Sequence, residues 1–158
     1  MDEVVRAEER LSVSLPYPRL FAELLAGHSF VAFEVAGVRI HSNLRGEEDN
    51  LEDLLADKLL TVTLVEAGFL PFGRPDTGDY DRVCFDMRDR KQSLDAPVVQ
   101  MDHEAILSFN QIPRPRQLAD GIVQLFEKER AGLSAGANPR PADRPSTRKH
   151  KPGAAACG

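Results

Sequence analysis

A chain of 158 residues with 42% apolar side chains and a net charge of −5 is long enough to bury a core, and one domain is expected. No run of about 18 apolar residues occurs, which excludes a helix that spans a membrane. The acidic start Met1-Asp2-Glu3 lacks the layout of a secretory signal, so the cytoplasm is the expected location.

In chain order, Asp2 to Leu11 reads as a short polar helix. After Pro16 and Pro18, Leu20, Phe21, Leu24 and Leu25 recur at helical spacing, with Gly27 suited to the position just past the end. Ser29 to Val35 and Val38 to Ile40 form an expected hairpin that turns at Ala36-Gly37. Beyond a polar loop from Asn43 to Asn50, Leu51, Leu54, Leu55 and Leu59 fall on one helical stripe. Val62 and Val65 extend that stripe and Gly68 can stop it, although the β-branched run Thr61 to Val65 also suits a strand.

Phe69 to Phe72 and Val83 to Phe85 then read as two apolar strands joined by a rigid acidic loop. Pro75 presets φ, Gly78 admits φ > 0, and Asp76 and Asp79 can bond nearby backbone N–H groups. Met87 to Ala96 is a charged connection, and Pro97 to Met101 a compact strand with proline tolerable at its first position. Asp102-His103-Glu104 opens a turn or one helical turn. Past Pro113 and Pro115, Leu118, Ile122, Leu125 and Phe126 line one face of a last helix.

Residues 131–158 shift to Gly, Ala, Pro, Ser and basic side chains, a composition expected to stay disordered. There Arg140, Arg144, Arg148, Lys149 and Lys151 stand against Asp143, a balance of +4 that leaves −9 on residues 1–130. The tail has no aromatic residue to stack on bases, so no nucleic-acid partner is expected. A body that acidic repels anionic polymers and steers toward basic protein surfaces, although the same charge also serves solubility. Helices at both ends and antiparallel strands between them predict an α+β domain over residues 1–130, with a mainly antiparallel or mixed sheet of about four to six strands.

Chemistry-bearing constellations are sparse. Asp76, Asp79, Asp81 and Asp86 fail the calcium-loop spacing, because positions six and twelve counted from Asp76 are Asp81 and Met87. Asp102-His103-Glu104 is the best acid–base candidate, but adjacent residues do not converge on one point, and His103 is expected to bond local backbone. Cys84, in an apolar strand, reads as a reduced buried hydrophobe. No nucleophile elbow, P-loop, His-Glu-x-x-His or Cys-x-x-Cys occurs, so neither catalysis, cofactor nor metal is expected. Glu47, Glu48, Asp49, Glu52 and Asp53 form a second acidic group, part of which is accounted for by capping the following helix.

The segment Gly68-Phe69-Leu70-Pro71-Phe72-Gly73-Arg74-Pro75, with Thr77-Gly78-Asp79-Tyr80-Asp81, Val83-Cys84-Phe85-Asp86, Pro97-Val98-Val99, Asp102-His103-Glu104 and the helix around Ala119 to Phe126, resembles the SUKH superfamily of Smi/Knr-like proteins. The likeness spans residues 50–128; the paired glycines common near Gly78 are reduced to one, and tryptophan is absent. The resemblance implies an α+β fold without catalytic residues and a protein-binding role. Many bacterial relatives are immunity proteins that neutralise a cognate polymorphic toxin, often a nuclease; others are intracellular regulators or scaffolds. Partner contact is therefore expected first at Asp76, Asp79, Tyr80 and Asp81 and second at Glu47, Glu48, Asp49 and Asp53, against a basic toxin domain. The alternatives are a regulator or scaffold without a toxin partner and a hydrolase that uses His103. A monomer or weak dimer is expected.

Overall fold

The computed structural model describes residues 15–89 and 94–136. It is an α+β fold with one curled antiparallel sheet of six strands and, among the described residues, five helices. In chain order these are α1 (Arg19–Gly27), β1 (Phe33–Val35), β2 (Val38–Ile40), α2 (Leu51–Ala56), α3 (Lys58–Glu66), β3 (Phe69–Pro75), β4 (Arg82–Asp86), β5 (Val98–Met101), α4 (His103–Phe109), β6 (Arg116–Ala119) and α5 (Ile122–Gly136). The strands lie in the order β1 to β6, so each pairs only with its neighbours in sequence.

The predicted hairpin at Ala36-Gly37 forms with both residues at positive φ, 47° and 82°, the backbone that a two-residue turn between antiparallel strands requires. Its first strand is only Phe33–Val35, shorter than the apolar run from Ser29. Alternation along β3, β4 and β5 sorts side chains to two faces. Leu70, Phe72, Val83, Phe85 and Val98 pack with Tyr17 and Phe21 at the N-terminal end, Leu51 and Leu54 of α2, and Ile122 and Leu125 of α5. Phe69, Cys84, Val99 and Met101 face Leu60 and Leu64 of α3 and Ile106 of α4. The first face holds an aromatic cluster, with Phe72 stacked on Phe85 at 4.3 Å and Phe21 tilted against both. Gly73 permits close approach of β2 and β3: a Cβ there would land on the Arg39 carbonyl oxygen.

Four expectations change. The helix from Leu51 breaks at Asp57, which ends α2 and caps α3, accepting from the Leu60 N–H at 3.4 Å. The break shifts the helical phase, so Leu60 and Leu64 go inward while Leu59 and Val62 are exposed. Leu118 belongs to β6 and not to the last helix; Gly121 follows, and the Asp95 carboxylate caps α5 by accepting from the Ile122 N–H at 3.0 Å. Asp102 caps a seven-residue helix, longer than the single turn expected. Gly27 is the last residue of α1, whose C-cap is His28.

At the far end α5 continues to Gly136, six residues past the composition change. The helix expected over Asp2 to Leu11 and the remainder of the basic tail lie outside the described residues. Among the described residues, no helix is long and apolar enough to cross a membrane. Cys84 is a free, fully buried thiol whose pKa burial pushes up.

Candidate functional site

The acidic loop between β3 and β4 is pinned at every point where it leaves the sheet. At its start, buried Pro75 closes β3 and the Asp76 N–H donates to the Gly37 carbonyl of the neighbouring turn at 3.1 Å. At its tip, Gly78 takes φ 83° and the Thr77 hydroxyl donates to the Asp79 carboxylate at 2.8 Å. At its end, the Arg82 guanidinium donates to the Tyr80 carbonyl at 2.7 Å and to Asp57 at 2.9 Å, with only 3% of the arginine side chain exposed. Burial foremost lowers the Arg82 pKa, with Arg74 adding repulsion and Asp57 opposing both. Two buried strands and a helix cap thus hold a short loop whose outer residues Asp76, Thr77, Gly78, Asp79 and Tyr80 are all exposed. Tyr80 is 65% exposed, yet its ring is placed from two sides, by the Arg74 guanidinium 5.7 Å from its centroid and by the His103 ring at 6.0 Å.

Asp81 does not join that outer face. Expected to meet a partner, it turns inward and accepts from Gln100 Nε2 at 2.7 Å and from the His103 N–H at 3.1 Å, with His103 Nδ1 at 2.8 Å. Burial opposes its ionisation, but these bonds and the imidazole prevail, and its pKa is held below the usual carboxylate value. His103 therefore bonds a carboxylate delivered from another strand and not merely local backbone. Asp81, Asp102 and His103 present ligand-type atoms within 4.8 Å of one another, the one such group among the described residues. Their atoms already have work: Asp102 Oδ1 accepts from the Glu104 and Ala105 N–H groups to start α4, and both Asp81 oxygens are engaged. Asp76 and Asp79 lie outside the group, and Asp86 is held by Arg88 at 2.7 and 2.9 Å.

The second acidic segment divides in the same way. Glu47 and Glu48 are exposed. Asp49, at φ 53°, forms an ion pair with Arg39 at 2.5 Å, and Arg39 also reaches Glu34 at 3.0 Å. Asn50, not Asp49, caps α2, and Asp53 returns the bond by accepting from Asn50 Nδ2 at 2.8 Å. The β2–β3 register sets Arg39 opposite Arg74. Asp49 is thus linked through Arg39 to the strand position next to Arg74, whose guanidinium lies beside Tyr80 of the loop.

A groove of about 220 Å³ runs beside the loop, lined by the Ala36-Gly37 turn, Pro75, Thr77, Asp79, Gln100, Arg116 and Leu118. It exists because the sheet curls far enough to bring β6 toward the β1–β2 turn. Arg74, Arg82, Asp57 and Gln100 were not singled out by sequence reasoning. The one available signal was Arg82, a cation at the head of the apolar run Val83 to Phe85.

No family model, no curated protein and no solved structure matches this chain.

Proposed function

We propose that this chain is a bacterial immunity protein of the SUKH type, which acts by binding and neutralising a cognate polymorphic toxin domain with a basic surface, and not by turnover. The observation that carries the reading is the presentation of Asp76, Asp79 and Tyr80 on a loop fixed at both feet. An exposed aromatic held by neighbours and flanked by carboxylates has the make-up of an interface hot spot that costs little ordering entropy on binding. The carboxylates would speed encounter with a cationic cleft such as that of a nuclease, while Tyr80 supplies desolvated contact area. Glu47 and Glu48 are the second contact set. The SUKH resemblance of residues 68–86 agrees with this reading, as does the −9 balance of residues 1–130, in the cytoplasm where a cell protects itself from its own toxin.

The test is co-purification with the nuclease-like domain encoded by the adjacent gene, followed by binding kinetics. Tyr80→Ala is expected to weaken binding about tenfold or more, mainly through dissociation. Asp76→Asn with Asp79→Asn is expected to slow association and flatten its salt dependence. Binding that ignores all three substitutions removes the loop as the contact surface.

A further inference from the structure

On the face of the sheet that packs against α3, the ends of β2, β3 and β4 carry a row of basic side chains. Arg39 and Arg74 are paired across β2 and β3, and so share a face. Arg82 is paired with Met101, which packs on that same side. His41 follows β2, its N–H bonded to the Phe72 carbonyl at 3.1 Å. Arg39 is matched by Asp49 and Glu34, and Arg82 by Asp57. Arg74 alone in the row has no carboxylate partner among the described residues.

On this face three buried nitrogens have no hydrogen-bond partner among the described residues: Arg74 Nε, Arg82 Nε and His41 Nε2. Arg82 and His41 are 2% and 1% exposed. A buried donor without an acceptor has lost its hydration with nothing in return. We propose that Arg74, Arg82 and His41 form a binding site for a small oxyanion, the phosphate or carboxylate group of a ligand. The two Nε–H groups supply donors, and the Arg74 guanidinium, to which no carboxylate among the described residues is bonded, supplies an attraction that a neutral water would not satisfy. Because Arg82 also holds the Tyr80 carbonyl and Arg74 lies by its ring, an occupied site would steady the loop from below. The site stands independently of any toxin partner.

Occupancy is tied to protonation. His41 Nδ1 lies 3.1 Å from the Asn50 carbonyl, which in the neutral ring makes Nδ1 the donor and leaves Nε2 a lone pair. Burial first, then Arg74 and Arg82, keep its pKa low, against the Asn50 carbonyl and Asp49, which favour the cation; Arg39 and Asp57 complete the charged surroundings. An anion before Nε2 favours the imidazolium, so binding takes up a proton and tightens as pH falls through the histidine range.

The experiment titrates the full chain with sulfate, whose charge is constant over that range, and in parallel with acetate, at fixed ionic strength, reading the arginine Nε–H signals by NMR. Saturable shifts of the Arg74 and Arg82 signals are expected, with affinity rising at lower pH. Arg74→Gln should weaken binding about tenfold or more, whereas Arg39→Gln, one strand over on the same face, should leave it within about twofold. Sulfate binding alone points to a phosphate ligand; acetate binding as well points to a carboxylate. The proposal is overturned if neither anion shifts these signals, the nitrogens then being met by water, or if Arg39→Gln weakens binding as much as Arg74→Gln.

Discussion

Asp81→Asn removes one charge from the foot of the acidic loop while keeping its shape. The carboxylate has three contacts between 2.7 and 3.1 Å and its side chain is 19% exposed. An asparagine oxygen can still face His103, and Gln100 can turn its own carbonyl toward the new amide, so the main loss is the charge on the acceptor. Bonds to a charged group contribute about 1.5–3 kcal/mol against 0.5–1.5 for neutral ones, and partial exposure favours the low end. The expected destabilisation at neutral pH is about 1–2 kcal/mol, read as a lower urea midpoint at unchanged slope. Its pH dependence is a sharper check. The folded pKa of Asp81 lies below the ordinary value, so its stabilisation is complete above about pH 4 and disappears as pH falls through the folded pKa. Wild-type and variant curves should converge in acid. Equal midpoints at neutral pH, or a gap that survives at acid pH, would refute the inward role assigned to Asp81.

Gly73→Ala should destabilise by about 2 kcal/mol or more, because its Cβ meets the backbone of β2, which cannot swing aside as a side chain can; thermal unfolding reads this directly. Tyr17→Phe leaves the Pro71 carbonyl, now accepting from the buried hydroxyl at 2.7 Å, without a partner, for a cost of about 1–2 kcal/mol by urea titration. In a Cys157→Ser background, Cys84 should react with thiol reagents only as fast as the chain opens, so its labelling rate should rise with urea; rapid labelling of the native protein would contradict its burial.

What could be read without coordinates was what local physics decides. The Ala36-Gly37 hairpin, the β3–β4 pair and the stripe of α1 each follow from short-range pattern and turn chemistry. Leu59 and Val62 went to the wrong side because one residue, Asp57, switches from helix to cap, and only its bond to Arg82, 25 residues on, reveals why. Strand β6 escaped notice since Arg116, Gln117 and Leu118 alternate weakly beside two prolines, and its pairing with β5 settles the matter. The loop was legible as an outward-facing element, but the inward turn of Asp81 was not: His103 and Gln100 arrive from β5 and the start of α4, about 20 residues away. Distant partners also explain the basic row, whose members sit in three separate stretches of sequence.

The last helix fastens the first strand. Glu129 accepts from the Ala36 N–H at 2.7 Å and Phe126 lies against Phe33 at 6.2 Å, joining segments 93 residues apart, while every strand pairing is with the next strand along. Such a chain can zip up hairpin by hairpin as it leaves the ribosome, at low cost in loop closure, and then wait for its clasp. Until residues near 129 emerge, the flank of β1 stays open to wrong pairings, so the vulnerable interval in this protein's synthesis runs from the making of β1 to that of α5.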